Sequence, residues 1–419
     1  MRKTHPVNHQ SKNCNKEVSQ VPWRKYHTIW FVMAFGWAAL YMVRMGISPV
    51  LGMIMEEFHI SYATAGSLFS AIFLSYTLMQ VPSGYLGDRF GRRKILIIST
   101  LLWFFFSLGT ALVQSFAMLV AVRFLTGFAH GAYFGNEKPT IVAFTPTEKM
   151  GQGQAVSFMG LAFGFFLAVF FSGIIADYTH NWRWVFVVFA FPSIITTFLV
   201  YKYVQDPKPV PKEDAAEIRG AYRKAFMGRD LWLMYVLGFT MLYAYWLLAT
   251  WMPSIYMEMG ISTITASSAL SGILGLVGLP GLLIMGTLSD TFSRRGVGRK
   301  WFVAASALIW ALFMFAMAYA VEIRASSTVI TIIYLTSGFF AFGVWPPYYA
   351  LLGELAPKGI VGTTFGLANL IGFLSSWVAP FFTGWIKDTT GSFSGGLYVA
   401  AFVLAAGIIL ILAVRTPKK

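Results

Sequence analysis

The chain has 419 residues, 57% of them hydrophobic and only 12% charged. A soluble domain carries about 25% charged residues, so this chain has too few polar side chains to coat a soluble body of its size. The net charge of +15 would suit a nucleic-acid binder, but the basic residues are dispersed in short segments between long apolar runs, which argues against that partner.

Residues 1–27 are polar and basic, with neither an apolar core nor a small-residue cleavage site, and read as a cytoplasmic tail rather than a signal peptide. Cys14, the sole cysteine, lies there, so no intramolecular disulfide forms and a metal cluster is not expected. Apolar runs of about 20 residues, the length that crosses a ~30 Å hydrocarbon core, then recur along the chain. They fall near 28–52, 62–82, 95–113, 117–136, 155–176, 183–204, 231–256, 264–288, 301–321, 327–352, 361–384 and 395–414. Helices are the expected spanning element because each satisfies its own backbone in lipid. The expected fold is therefore an all-α integral membrane protein of twelve spans.

With the N-terminus inside, 26 of the 32 Lys and Arg fall on inward segments, while the outward loops hold only Arg183, Arg324 and Lys387. Arg44, Arg123 and Lys138 lie within spans. The bias puts both termini in the cytoplasm and implies an even number of spans. Short outward loops fit a prokaryotic plasma (inner) membrane.

The sequence also repeats. Leu125-Thr126-Gly127 returns loosely as Leu335-Thr336-Ser337-Gly338, and Ser172-Gly173-Ile174-Ile175-Ala176-Asp177 as Thr383-Gly384-Trp385-Ile386-Lys387-Asp388, both at an offset of 211. Gly84-Tyr85-Leu86-Gly87-Asp88 returns as Gly286-Thr287-Leu288-Ser289-Asp290 at an offset of 202. The common order predicts a duplication: a six-helix bundle over 28–204, a charged, proline-bearing linker over 205–230, a second bundle over 231–414 and a short tail over 415–419. Two such parallel repeats around a central site suit alternating access.

Several residues are candidates for chemistry. Arg44 is a mid-span cation, which costs about 2.5–3.5 kcal/mol on insertion scales, so it should face a wet cavity and be offset by a partner. Its planar fork grips a carboxylate through two bonds. Tyr41 lies on the same helical face. In span four, Arg123, His130 and Glu137 recur every seven residues and share a face directed into the bundle. His130 titrates near neutrality when unperturbed, which suits a proton relay or substrate contact as well as a packing hydrogen bond. Glu137 and Lys138 are expected near the cytoplasmic end of the span, where water lowers their cost. Tyr76, Tyr243, Tyr245, Trp246, Trp345, Tyr348 and Tyr349 fall within spans, as does Asn369, an amide suited to hydroxyl groups. There is no Gly-Lys-Ser/Thr nucleotide element, zinc pattern or catalytic triad. Neither an enzyme nor an ATP-driven pump is expected, and no cofactor is called for.

The run Gly84-Tyr85-Leu86-Gly87-Asp88-Arg89-Phe90-Gly91-Arg92-Arg93-Lys94 between spans two and three closely resembles the cytoplasmic loop signature of the major facilitator superfamily. Arg123-Phe124-Leu125-Thr126-Gly127 is similar to that family's span-four Arg-x-x-x-Gly element. The resemblance implies twelve helices in two six-helix bundles related by a pseudo-two-fold axis. It also implies a latch in which Asp88 and Arg92, with Asp290 in the degenerate copy, hold the outward-open state, and a structural or gating role for Arg123. Within the superfamily the chain looks like the anion:cation symporters and, more distantly, the organophosphate antiporters. Tyr41-Met42-Val43-Arg44-Met45-Gly46-Ile47, the span-two run Ser70 to Pro82, and the stretch from Leu355-Ala356-Pro357 to Asn369 carry that likeness. Three departures bear on chemistry. Tyr245 stands where the antiporters place a second Arg, Val43 where proton-coupled symporters place an acid before the span-one Arg, and His130 where they place a span-four acid. Span five, Gly160 to Gly164, lacks the Gly-Pro pair of many multidrug antiporters.

The expectation is a monomeric secondary transporter of a small organic anion, a sugar acid or hydroxy acid. Arg44, Tyr41, Tyr76, His130, Tyr245, Tyr349 and Asn369 would bind it. Asp88, Arg92, Arg123, His130, Glu137 and Asp290 would couple or gate, with a proton or cation as coupling partner. An exporter of amphiphilic compounds and a transporter-like ligand receptor remain as alternatives.

Overall fold

The computed structural model describes residues 24–146, 150–206, 223, 225–357 and 361–415. Cys14, Lys149, Lys358, linker residues 207–222 and residues 416–419 lie outside the described residues, as does the side chain of Asp88.

Among the described residues, twelve helical segments are long and apolar enough to cross a membrane. Span one is Lys25–Met45, a 3-10 turn Ser48–Val50 and Leu51–Phe58; the break falls at Pro49, which has no N–H to continue the ladder. Spans two to six are Tyr62–Phe90, Arg92–Ala111, Phe116–Phe144, Met150–Thr179 and Arg183–Tyr203. Spans seven to nine are Arg229–Glu258, Ile264–Arg294 and Arg299–Glu322. Span ten divides into Ser327–Gly343 and Trp345–Leu355 ahead of Pro346 and Pro347, and spans eleven and twelve are Val361–Thr390 and Ser394–Ala413.

The packing repeats with the sequence. Span two packs on four, one on five and three on six; eight on ten, seven on eleven and nine on twelve are the same pairings six spans later. Across the two bundles, two meets eleven and eight meets five, each the other's counterpart. Two six-helix bundles related by a pseudo-two-fold axis result.

Two expectations are corrected. Spans two and three are longer than the runs 62–82 and 95–113: span two stays helical to Phe90, Gly91 turns at φ 95°, and span three starts at Arg92. Side chains disfavour a positive φ of this kind, and glycine adopts it without a Cβ penalty. Span four runs on to Phe144 through Pro139, and Glu137 is 0% exposed rather than solvated at a helix end.

Candidate functional site

Arg44 sits in the last turn of its helix, 1% exposed. Small residues bring its neighbours close. A Cβ on Gly164 of span five would lie 2.5 Å from Ala38 Cα of span one, and one on Gly131 of span four 2.9 Å from Met79 Cβ of span two. Such contacts let helices approach in lipid, where packing replaces hydrophobic drive. Span one thereby delivers Arg44 to the same interior as Tyr76 and His130.

The guanidinium lies among aromatic rings. Its carbon is 4.5 Å from the Tyr76 centroid, 5.1 Å from Phe73 and 5.4 Å from Tyr41. Desolvated cation–π contacts of this kind offset part of the burial cost, by about 2 kcal/mol each at best. Arg44 Nη2 stands 3.5 Å from His130 Nδ1, the outer limit of a hydrogen bond. Nε and Nη1 meet no acceptor at hydrogen-bond geometry, although the Tyr41 and Tyr76 hydroxyls lie beside the group. Among the described residues no carboxylate is ion-paired with it. Among the described residues rings enclose the guanidinium, and no charged partner offsets it.

Arg123 holds the backbone beside it. Its Nη1 donates to Val43 O at 2.9 Å, and its guanidinium lies 4.8 Å from the Phe186 ring. His130 stands edge-on to Trp103 at 5.2 Å, and among the described residues its Nε2 makes no hydrogen bond. Glu137, two turns further along span four, belongs to a separate polar group. Ser157 Oγ donates to its Oε1 at 2.5 Å, and Lys138 Nζ lies 3.3 Å from Oε2 and 3.8 Å from the Phe158 centroid.

The second half faces Arg44 with neutral groups. Trp246 lies 4.2 Å from Phe73, Phe373 lies 5.2 Å from Tyr76, and the Tyr245 hydroxyl approaches that of Tyr41. The Tyr349 hydroxyl donates to Asn369 Oδ1 at 2.8 Å, and its ring stacks on Phe365 at 5.3 Å. Phe73 and Phe373 carried no distinguishing signal in the sequence. In a chain with 17% aromatic residues, spacing does not separate a ring that lines the interior from one that faces lipid.

The remaining candidates lie apart, at the end bearing the basic loops. Asp290 pairs with Arg299 at 2.6 Å, and Arg299 with Glu354 at 2.8 Å, all within the second half. Beside Arg92, the backbone N–H of Arg93 donates to Asp206, at the start of the linker, at 2.8 Å. An apolar groove of about 960 Å³, lined by residues including Phe31, Phe35, Met42, Phe163 and Leu199, contains none of the charged candidates.

Comparison with known proteins adds the following. The family pattern described as Major Facilitator Superfamily matches residues 33–298, and that described as Sugar (and other) transporter matches residues 214–418. The probable galactarate/D-glucarate transporter of Bacillus subtilis (strain 168) is 26% identical over 403 residues, covering 87% of each chain. The D-galactonate transporter of Escherichia coli O6:H1 is 25% identical, over 94% of this chain and 97% of its own. Among solved structures, the inward-open xylose transporter of E. coli superposes with a TM-score of 0.73 at 17% identity, over 94% of this chain and 97% of that one. A bacterial homolog of the human lysosomal transporter Spinster, inward-facing, gives 0.74 at 16%, over 93% and 95%.

Proposed function

This chain is a multi-pass membrane transporter belonging to the major facilitator superfamily, and on that premise we propose that it carries small organic anions, sugar acids bearing a carboxylate, by alternating access. One observation carries the reading: a buried guanidinium without an acidic partner among the described residues, two of its nitrogens meeting no acceptor at hydrogen-bond geometry, lies behind Phe73 and Tyr76, the rings that meet Trp246 and Phe373 of the other half. A carboxylate would supply the missing charge and the missing acceptors together, and a fork that accepts two parallel bonds favours that group over a neutral one. That relatives over nearly the full length are named for sugar acids supports the same class.

In this reading Arg44 anchors the carboxylate, with Tyr41, Tyr76, His130 and Tyr245 around it. Tyr349 and Asn369 meet hydroxyl groups further along the sugar acid. Arg123 positions Arg44. Asp88, Arg92 and Asp290 gate at the basic end, which faces the cytoplasm of a plasma membrane with both termini inside. Coupling to a proton or cation runs through His130 or Glu137, and the working unit is the monomer.

Uptake into proteoliposomes tests this, with D-glucarate and its neutral diamide as competitors. Arg44→Lys keeps the charge but loses the fork, so one bond to a charged group should go, weakening glucarate binding roughly ten- to hundred-fold. Arg44→Ala should be worse, and the diamide should compete poorly and respond little to either change. Equal losses for acid and amide would reduce Arg44 to a packing residue and remove the case for an anion.

A further inference from the structure

The repeat Gly173-x-x-x-Asp177 and Gly384-x-x-x-Asp388 has no part in the site around Arg44, yet its two copies occupy counterpart positions between the halves. Asp388, at the end of span eleven, accepts the backbone N–H of Tyr62 at 3.0 Å and of Ala63 at 2.8 Å, the first residues of span two. Asp177, at the end of span five, accepts the N–H of Thr265 at 2.7 Å, the second residue of span eight. Each carboxylate thus caps a helix of the opposite half.

The glycines one turn earlier allow the approach. A Cβ on Gly384 would come within 2.6 Å of the Tyr62 carbonyl carbon, and one on Gly173 within 2.5 Å of Ser268 Oγ. The receiving helices are matched as well: Ser61 and Thr263 each cap their own helix, taking the N–H of Thr64 and Ala266. A helix start leaves four N–H groups unpaired inside the helix and carries partial positive charge. The helix's own cap takes one; the other half's aspartate takes the two before it in span two and the one before it in span eight. Ser48, which donates to the Ala249 and Thr250 carbonyls, and Ser70, which donates to that of Trp377, also bridge the halves toward this end.

We propose that Asp388 and Asp177 are positioning residues for transport: paired caps that hold the outer gate shut while the cytoplasmic side is open, and that must release before substrate enters from outside. The inference rests on the alternating-access reading above. The two caps are unequal. Asp388 takes two N–H groups, and Tyr62 is also held by Trp251 at 5.7 Å and Phe393 at 5.5 Å. Asp177 takes one.

The test uses the full-length protein with Cys14→Ser and one reporter cysteine at a time, probed with an impermeant maleimide from each side of oriented vesicles. Ser70→Cys reports the outer seam and Gly353→Cys the basic end. Asp388→Ala should speed outside labelling of the Ser70 reporter about ten-fold or more and slow inside labelling of the Gly353 reporter, a shift between two states. Asp177→Ala should do the same more weakly, and Asp388→Glu should fall back toward the parent rate. Gly384→Leu, which keeps the carboxylate but props the helices apart, should mimic Asp388→Ala. Unchanged labelling at both reporters, or a rise at both, would overturn the proposal, because a cap that merely stabilises the fold would loosen both ends together. A separate control adds the sugar diacid of the uptake assay to the parent protein. If it moves neither reporter, the alternating-access reading fails, whatever the aspartate variants do.

Discussion

The two halves share a helix plan but not a chemistry. The first half buries Arg44, Arg123, His130 and Glu137; the second half meets the rings around Arg44 with aromatic, neutral side chains, Tyr245 and Trp246 buried and Phe373 partly buried. The ionised residues of the second half lie near its ends, as in Asp290–Arg299–Glu354 and in Glu258–Lys387 at 2.7 Å. Packing between helices tolerates duplication because small residues at matching positions are enough. A mid-membrane charge does not, because each added one must find a partner or a ligand. One charged half and one neutral half suit a ligand held by one end of its length and steered along the rest.

The comparison is broken most severely by charging the neutral half. Tyr245→Arg would put a second guanidinium within electrostatic reach of Arg44. The expected loss is about 2.5–3.5 kcal/mol or more, seen as a clear fall in thermal stability of the purified protein. Unchanged stability would mean that the second half can supply an acceptor after all.

Removing support from the charged half comes next. Arg123→Met deletes the bond to Val43 O; at about 1.5–3 kcal/mol for a bond to a charged group, glucarate affinity should drop at least ten-fold, with Arg123→Lys between. If both variants bind as the parent does, Arg44 needs no such brace.

A smaller change follows from Glu137→Gln, which keeps an acceptor for Ser157 but removes the charge facing Lys138. If Glu137 carries the coupling proton, uptake should lose its response to an imposed pH gradient while exchange of preloaded substrate continues; His130→Gln tests the other candidate by the same measurement. Retained gradient response in both variants removes span four from coupling.

The mildest is Tyr349→Phe. It breaks one neutral hydrogen bond, to Asn369, worth about 0.5–1.5 kcal/mol. The Michaelis constant for glucarate should rise two- to ten-fold and that for an acid lacking hydroxyl groups should not. An equal rise for both would place the pair in helix packing rather than in hydroxyl recognition.

Much of the fold was legible in one dimension. Twelve spans, their helical state and the duplication follow from run lengths and from strings such as Gly84 to Asp88, because a bilayer tests each segment for length and apolarity before any tertiary contact forms. Arg44 stood out for the same reason: a charge inside an apolar run is conspicuous wherever it points. The surroundings of Arg44 were not legible. Tyr76, Phe73 and His130 reach it from other spans, and nothing in their spacing distinguishes them from rings and imidazoles that face elsewhere. Glu137 was misplaced because its burial depends on span four continuing through Pro139 and on span five supplying Ser157.

The sequence by itself determined how often the chain crosses the membrane, where the basic loops gather and which residues are too costly to be idle. Hydropathy, charge and short repeats are local quantities, so they survive without coordinates. Only the tertiary structure decided what Arg44 faces, that Arg123 grips the carbonyl beside it, and that Asp388 caps a helix 325 and 326 residues earlier in the chain. Those are contacts between segments that meet only after the helices pack, set by the shape left where small residues let two backbones approach.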